Sequence, residues 1–179
     1  YLLAFLFIAA TIVIAQILIQ KHLDSQINDS RIINIAGRQR MLSQKLVKES
    51  LFLLYTDKNE QLKRASIIKE SNASFLKSHQ DLQSEVNDLR MLTKNNPELK
   101  ILFKEIDASH INLVNSCNSL VKLVNENIEI SIDSIQHYIS ILKKEEQPFL
   151  NKMNEIVFKF DEISQQKVKE LKQKEYILL

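Results

Sequence analysis

Glycine occurs once in this chain of 179 residues, proline twice and cysteine once. So little glycine and proline leaves almost no turn chemistry for a β-sheet, which argues for an all-α fold. The lone Cys117 excludes an intramolecular disulfide and a cysteine zinc cluster. Neither sign of charge dominates, since 24 basic residues face 22 acidic ones for a net charge of +2. A nucleic-acid-binding surface needs clustered basic charge, so no nucleic-acid partner is expected. No nucleophile–base pair, phosphate-binding glycine loop or paired carboxylates in a plausible cleft stands out, so no enzyme activity and no cofactor are expected for this segment. Internal repeats and low-complexity segments are also absent.

What is present begins with a long apolar run. Residues 1–19 carry no charge, and about 20 such residues in a helix span roughly 30 Å of hydrocarbon. No small-residue cleavage site follows before Lys21 and His22, so the run reads as a membrane span rather than a signal-peptide core. At the other end, Tyr176-Ile177-Leu178-Leu179 turns apolar after a lysine-rich segment and reads as the first turn of a second span. The expected layout is a transmembrane helix at 1–20, a domain at 21–175 and the start of a second span at 176–179. That is the layout of an extracytoplasmic sensor in the inner (cytoplasmic) membrane of a bacterium. The chain would then be a piece of a longer receptor whose cytoplasmic output follows the second span.

Four stretches keep a heptad-like apolar period. The first helix is expected to run from the membrane to about Tyr55, with a seam of Ile32, Ile35, Gln39, Leu42, Leu46 and Leu53. Thr56-Asp57 supplies an N-cap for the second helix. The second seam is Ala65, Ile68, Asn72, Phe75, His79, Leu82, Val86 and Leu89. Asn95-Asn96-Pro97-Glu98 separates it from the third, with proline at a tolerated first-turn position. The third seam is Phe103, Ile106, His110, Leu113, Cys117, Leu120 and Val124. Ser131 to Leu142 reads as a short extra helix. Pro148 is expected to open the fourth, which carries Phe149, Met153, Ile156, Phe160 and Ile163. Comparable lengths and short connections predict an antiparallel up-down-up-down four-helix bundle continuous with the transmembrane helices.

The first helix has a second stripe opposite its seam: Ile33, Gly37, Arg40, Gln44, Val47 and Leu51. One apolar face suffices for a helix in a monomeric bundle. A second implies another packing partner, most simply the same helix of a second protomer across a twofold axis. Glycine inside a helix costs roughly 1 kcal/mol relative to alanine, so Gly37 points to close backbone approach. Arg40 then faces its twofold mate. Two like charges repel unless an anion lies between them, and two guanidinium forks suit a planar oxyanion.

Asn34-Ile35-Ala36-Gly37-Arg38-Gln39-Arg40-Met41-Leu42-Ser43-Gln44 resembles the first-helix motif of PilJ-type sensor domains. That family includes the N-terminal domain of type IV pili chemotaxis transducers and is related to the periplasmic domains of nitrate/nitrite sensor kinases. Lys45 stands where arginine is frequent. The resemblance implies a homodimer through the first helix, with nitrate or nitrite held between subunits by the motif arginine and glycine, by position Arg40 and Gly37. It also implies a histidine kinase output, with a chemotaxis signalling domain next. The candidate ligand residues are therefore Arg40, Gly37, Gln44, Arg38 and Ile33.

Simpler readings stand beside these. Arg38 lies on a different face from Arg40, where a carboxylate partner or solvent is favoured over direct ligand contact. Gly37 also fits intramolecular packing. His79 and His110 fall at nearly the same level of neighbouring seams. No third ligand accompanies them, so core packing is expected rather than a metal. Cys117 reads as a small apolar residue. A dimerising or partner-binding module without any ligand would use the same two-faced helix.

Overall fold

The computed structural model describes the backbone of residues 1–88, 97–126 and 131–178, and within these all side chains except those of 22, 24–29, 84–88, 167, 171 and 174–178. Four helices account for nearly all of it: α1 (Leu2–Phe52), α2 (Lys58–Asp88), α3 (Pro97–Glu126) and α4 (Ile132–Leu178). They form an all-α antiparallel bundle. α1 packs along α2 and α4, and α3 packs along the same two helices, while α1 and α3 meet only slightly across the diagonal. Up-down-up-down connection places sequential helices side by side in this way.

The core is the four seams brought together. Ile32, Leu42, Leu46 and Leu53 of the first seam are buried. They meet Ile68, Phe75 and Leu82 of α2, Ile106, Leu113, Cys117 and Leu120 of α3, and Phe149, Met153 and Ile156 of α4. Burial pushes the Cys117 thiol up to about 12, so it packs as an inert small residue. Polar contacts fix the register. The Glu98–Lys159 and Glu105–Lys152 pairs step one heptad along α3 and α4 in opposite directions. Arg64 of α2 reaches Glu49 of α1 at 2.7 Å, lies over the Phe52 ring, and also meets Glu60.

Helix ends follow the expected chemistry. Asp57 caps α2, its Oδ1 accepting from the Glu60 N–H at 2.9 Å. Pro97 is the first residue of α3, where its missing N–H leaves no bond unmade. The proposed boundary at Asn95-Asn96, and the side chains of Val86, Leu89 and 176–179, lie outside the described residues.

Pro148 corrects the expectation for the fourth helix. There is no separate helix at 131–142. α4 runs unbroken from Ile132 with Pro148 inside it. The cause is the phase of the apolar residues. Ile135, Ile139 and Leu142 precede the proline, and Phe149, Met153, Ile156 and Phe160 follow it. All seven lie on one heptad face, so burying them together keeps the helix continuous against a local penalty of about 3 kcal/mol.

Leu2–Lys21 is long and apolar enough to cross a membrane, with a mean hydropathy of 2.8 and no part of it buried in the bundle. Among the described side chains, the first core residue after it is Ile32.

Candidate functional site

On α1, burial follows the helical period from Ile32 onward. Ile32, Ala36, Gln39, Leu42, Ser43 and Leu46 face inward. Ile33, Asn34, Gly37, Arg38, Arg40, Met41, Gln44, Lys45 and Lys48 face out. At 100° per residue, Gly37, Gln44 and Lys48 run down the middle of this outer face. Arg38 and Arg40 lie along its opposite edges. Four of the outward residues between 33 and 48 are basic and none is acidic. Among the described residues, neither the Arg38 nor the Arg40 guanidinium has an ion pair or hydrogen bond.

All five candidate residues thus lie on one exposed surface, with Ile33 itself 38 % exposed. The second stripe is shorter than its spacing suggested. Val47 is buried in the core, and Leu51 packs against it. In this half of α1, Glu49 and Ser50 are buried as well. The bundle therefore covers a wider arc of α1 above Gln44 than below it, and Phe52 is the one exposed apolar residue of α1 beyond that point.

Gly37 has neither of the usual intramolecular reasons to be glycine. Its φ is not positive, and a Cβ built on it would meet nothing within 4 Å. Packing inside the protomer therefore does not account for it. Gly37→Ala should raise the stability of a protomer by about 1 kcal/mol through helix propensity. Chemical denaturation at low protein concentration measures this. A loss of stability there would mean that an intramolecular contact had been broken.

Between the two arginines, Gln39 points inward and is fully buried. Its Nε2 donates to the Phe75 carbonyl of α2 at 2.7 Å. Around this bond lies a polar layer that crosses the bundle. The His79 and His110 rings stack at 3.7 Å with 14° between planes. His79 Nε2 lies 3.1 Å from Asp107 Oδ1, and Gln83 Nε2 donates to the same oxygen at 2.8 Å. Asn72 Nδ2 donates to the Val114 carbonyl and to Asn118 Oδ1. Phe75 and Phe149 close the layer, their rings 5.1 Å apart. The expected common level of the two histidines is therefore correct. Stacked imidazoles direct their in-plane lone pairs along separate planes rather than towards one ion. No cluster of three or more metal-ligating side chains occurs among the described residues.

Sequence reasoning placed His79 and His110 in the core but missed the tie to Gln39. A glutamine on an apolar seam was the available signal. A shallow cavity of about 450 Å³ also lies between the end of α1 and the start of α4, beside Leu51, Leu54 and Ile139. Tyr55, Gln136, Ser140 and Lys143 complete its lining, and the Ser140 hydroxyl is engaged by its own helix through the His137 carbonyl.

A helical bundle with a basic, unpaired outer face on its first helix and a long apolar segment leading into that helix has the form of a receptor sensor module. The sequence family described as "Type IV pili methyl-accepting chemotaxis transducer N-term" (PilJ) matches residues 22–138, and the chain belongs to it. It is a PilJ sensor domain of the kind found in chemotaxis-transducer signalling receptors. The match covers α1 beyond the apolar run, α2, α3 and the first turns of α4. The packed core continues past it to Phe160. No curated protein and no solved structure matches the chain.

Proposed function

We propose that this domain senses a small planar oxyanion, with nitrate or nitrite the leading ligand, held between the α1 helices of two protomers. The observation that carries the reading is the surroundings of Gly37 and Arg40. The chain's single glycine sits mid-helix with no intramolecular cause, one turn from an exposed arginine on an acid-free basic face. Two such faces repel each other, and an anion between them removes the repulsion while accepting charge-assisted hydrogen bonds. Ligand then favours the arrangement in which the arginines converge, by its differential affinity for that arrangement. The resemblance of residues 34–44 to the motif of nitrate/nitrite sensors supports the choice of anion.

In this reading Leu2–Lys21 spans the cytoplasmic membrane and the bundle stands on its outer side. α1 and α4 carry small sliding or rotational movements inward. The family description favours a chemotaxis signalling output over a histidine kinase.

The test is cross-linking in membranes. With Cys117 replaced by serine, Gln44→Cys should form disulfide-linked dimers readily, and nitrate should change the yield. Cysteines on the outer face of α3, such as Asn112→Cys, should link poorly. Efficient linking through α3 and not through α1 would reject the interface. Linking at position 44 that ignores nitrate, nitrite and other small anions would instead indicate a dimerisation module without this ligand class.

A further inference from the structure

The polar layer has an imbalance of donors and acceptors. Four of its buried side-chain atoms lack a hydrogen-bond partner: Gln39 Oε1, Asn72 Oδ1, His79 Nδ1 and His110 Nε2. All four are acceptors. The Asp107 carboxylate can only accept, which assigns Nε2–H to His79 although the Gln83 amide nitrogen also lies 3.3 Å from Nε2, and leaves Nδ1 as a lone pair. His110 bonds the Phe75 carbonyl, and since its Nε2 is unpartnered, the Nδ1–H is the donor. Donors, meanwhile, crowd on one oxygen. The Phe75 carbonyl receives Gln39 Nε2, the His110 ring and, as an interior helix carbonyl, the His79 backbone N–H. The layer is short of donors and is built around two imidazoles.

We propose that this layer is a proton-binding site: the His79–His110 pair takes up one proton per protomer, and that proton is a second input to the receptor, acting through Gln39 on the helix that carries the exposed basic face. The proton belongs on His79 Nδ1. His79 keeps Nε2–H on the Asp107 carboxylate, so the imidazolium has a counter-charge, and Nδ1 turns from an unpartnered acceptor into a donor. A second proton is opposed by the ring stacked 3.7 Å away, so the pair stops at one.

Among the described residues, the other elements add no competing charge. α1 presents neutral Gln39, α2 presents Asn72 and Gln83, and α4 presents the Phe149 ring, 6.2 Å from His110. Asp107 of α3 is the one charged side chain acting on the pair. Burial lowers the basicity of both rings, His110 to about 3, with Asp107 working against burial at His79. For a group lowered on folding, stability is unaffected above the unfolded value near 6.5. It is lost as pH falls from there towards the folded value. Acid therefore favours any arrangement in which the new Nδ1–H finds an acceptor, and two of the waiting acceptors, Gln39 Oε1 and His110 Nε2, belong to groups that share the Phe75 carbonyl. When Gln39 turns away from that carbonyl, the one described side-chain hydrogen bond between α1 and the middle of α2 is released.

Hydrogen–deuterium exchange on the full chain in detergent micelles, corrected for intrinsic rates, tests this between pH 7.5 and 5. Wild type should lose protection in segments 36–43, 72–83 and 104–113 together, by up to about tenfold per pH unit below 6.5. The His79→Gln/His110→Gln variant should show no such loss, and Asp107→Asn, which removes the counter-charge that holds His79 up, should leave the onset near pH 6.5 and carry the loss further down. Arg40→Ala should keep it, so the result stands apart from the anion reading. Flat wild-type protection would overturn the proposal and leave internal water as the source of the missing donors. A response that survives in the double variant would also overturn it, as would equal loss at 46–60, which would be general acid unfolding. Response in α2 and α3 without α1 would refute the route through Gln39. Should the double variant not fold, NMR of 13C-labelled histidine in wild type decides: one buried imidazole must gain its proton above pH 4, and neither doing so overturns the assignment.

Discussion

Arg40→Ala is expected to lower nitrate affinity at least 100-fold while leaving the protomer folded. The two halves of this result have separate causes. Arg40 is exposed, and its guanidinium has no ion pair or hydrogen bond among the described residues, so its removal should change stability by no more than about 0.5 kcal/mol. The anion, in contrast, would lose a bidentate charge-assisted contact from each protomer, and truncating one such contact costs about 2–5 kcal/mol. Arg40→Lys should recover only part of the loss, because an ammonium is a point charge and cannot reproduce the fork. Arg38→Ala should have the smaller effect, since Arg38 lies about 100° from Gly37 around the helix and Arg40 about 60°. Calorimetry with nitrate, paired with thermal melts in its absence, measures both halves. Unchanged affinity in Arg40→Ala would remove this residue from the site, and equal loss in Arg38→Ala would mean that the face binds anions by overall charge.

Phe75→Ala should be the most damaging single change in the bundle, at about 3–5 kcal/mol. Phe75 is fully buried. Its ring lies 4.6 Å from His110 and 5.1 Å from Phe149, so truncation opens a cavity bordered by α3 and α4 together. Aromatic pairs add about 0.5–1.5 kcal/mol beyond buried area. Against a typical total of 5–15 kcal/mol, such a loss leaves a narrow margin. Phe75→Leu should cost less, because it keeps most of the volume. Urea denaturation followed by circular dichroism gives the difference. A cost below 1 kcal/mol would show that the layer collapses around the missing ring.

The helical seams were legible because burial here follows one simple period. Ile32, Leu42 and Leu46, or Leu113, Cys117 and Leu120, announce their faces by spacing alone. Asp57 and Pro97 announced helix starts by chemistry that acts over one turn. Pro148 misled for the same reason. A local penalty was weighed without the seven in-phase apolar residues around it, which a helix must bury as one face. Val47 and Leu51 were assigned to the outer stripe because spacing gives direction but not the width of the covered arc, and neighbours on both sides of α1 set that width. Gly37, Arg40 and Gln44 were visible as residue types at fixed intervals, but the basic character of the outer face was not, because Lys45 and Lys48 lie outside that stripe. The Gln39 contact was not, because a hydrogen bond to a carbonyl 36 residues away leaves no periodic trace.

The unequal lengths of the helices have a mechanical consequence. α1 and α4 have 51 and 47 residues, whereas α2 and α3 have 31 and 30. The Gln39–Phe75 and Glu49–Arg64 contacts set Asp88, the last described residue of α2, near the level of residue 26 of α1, and among the described helices only α1 and α4 run on beyond that level, as a neck towards Lys21. Two helices alone enclose little core and resist bending and twisting weakly. A push delivered by one protomer would be absorbed there as flexure. Two protomers side by side give the neck four helices, and bending stiffness rises steeply with the width of a bundle. Dimerisation would therefore set how much of a movement made in the bundle survives as far as Lys21, whatever ligand starts it.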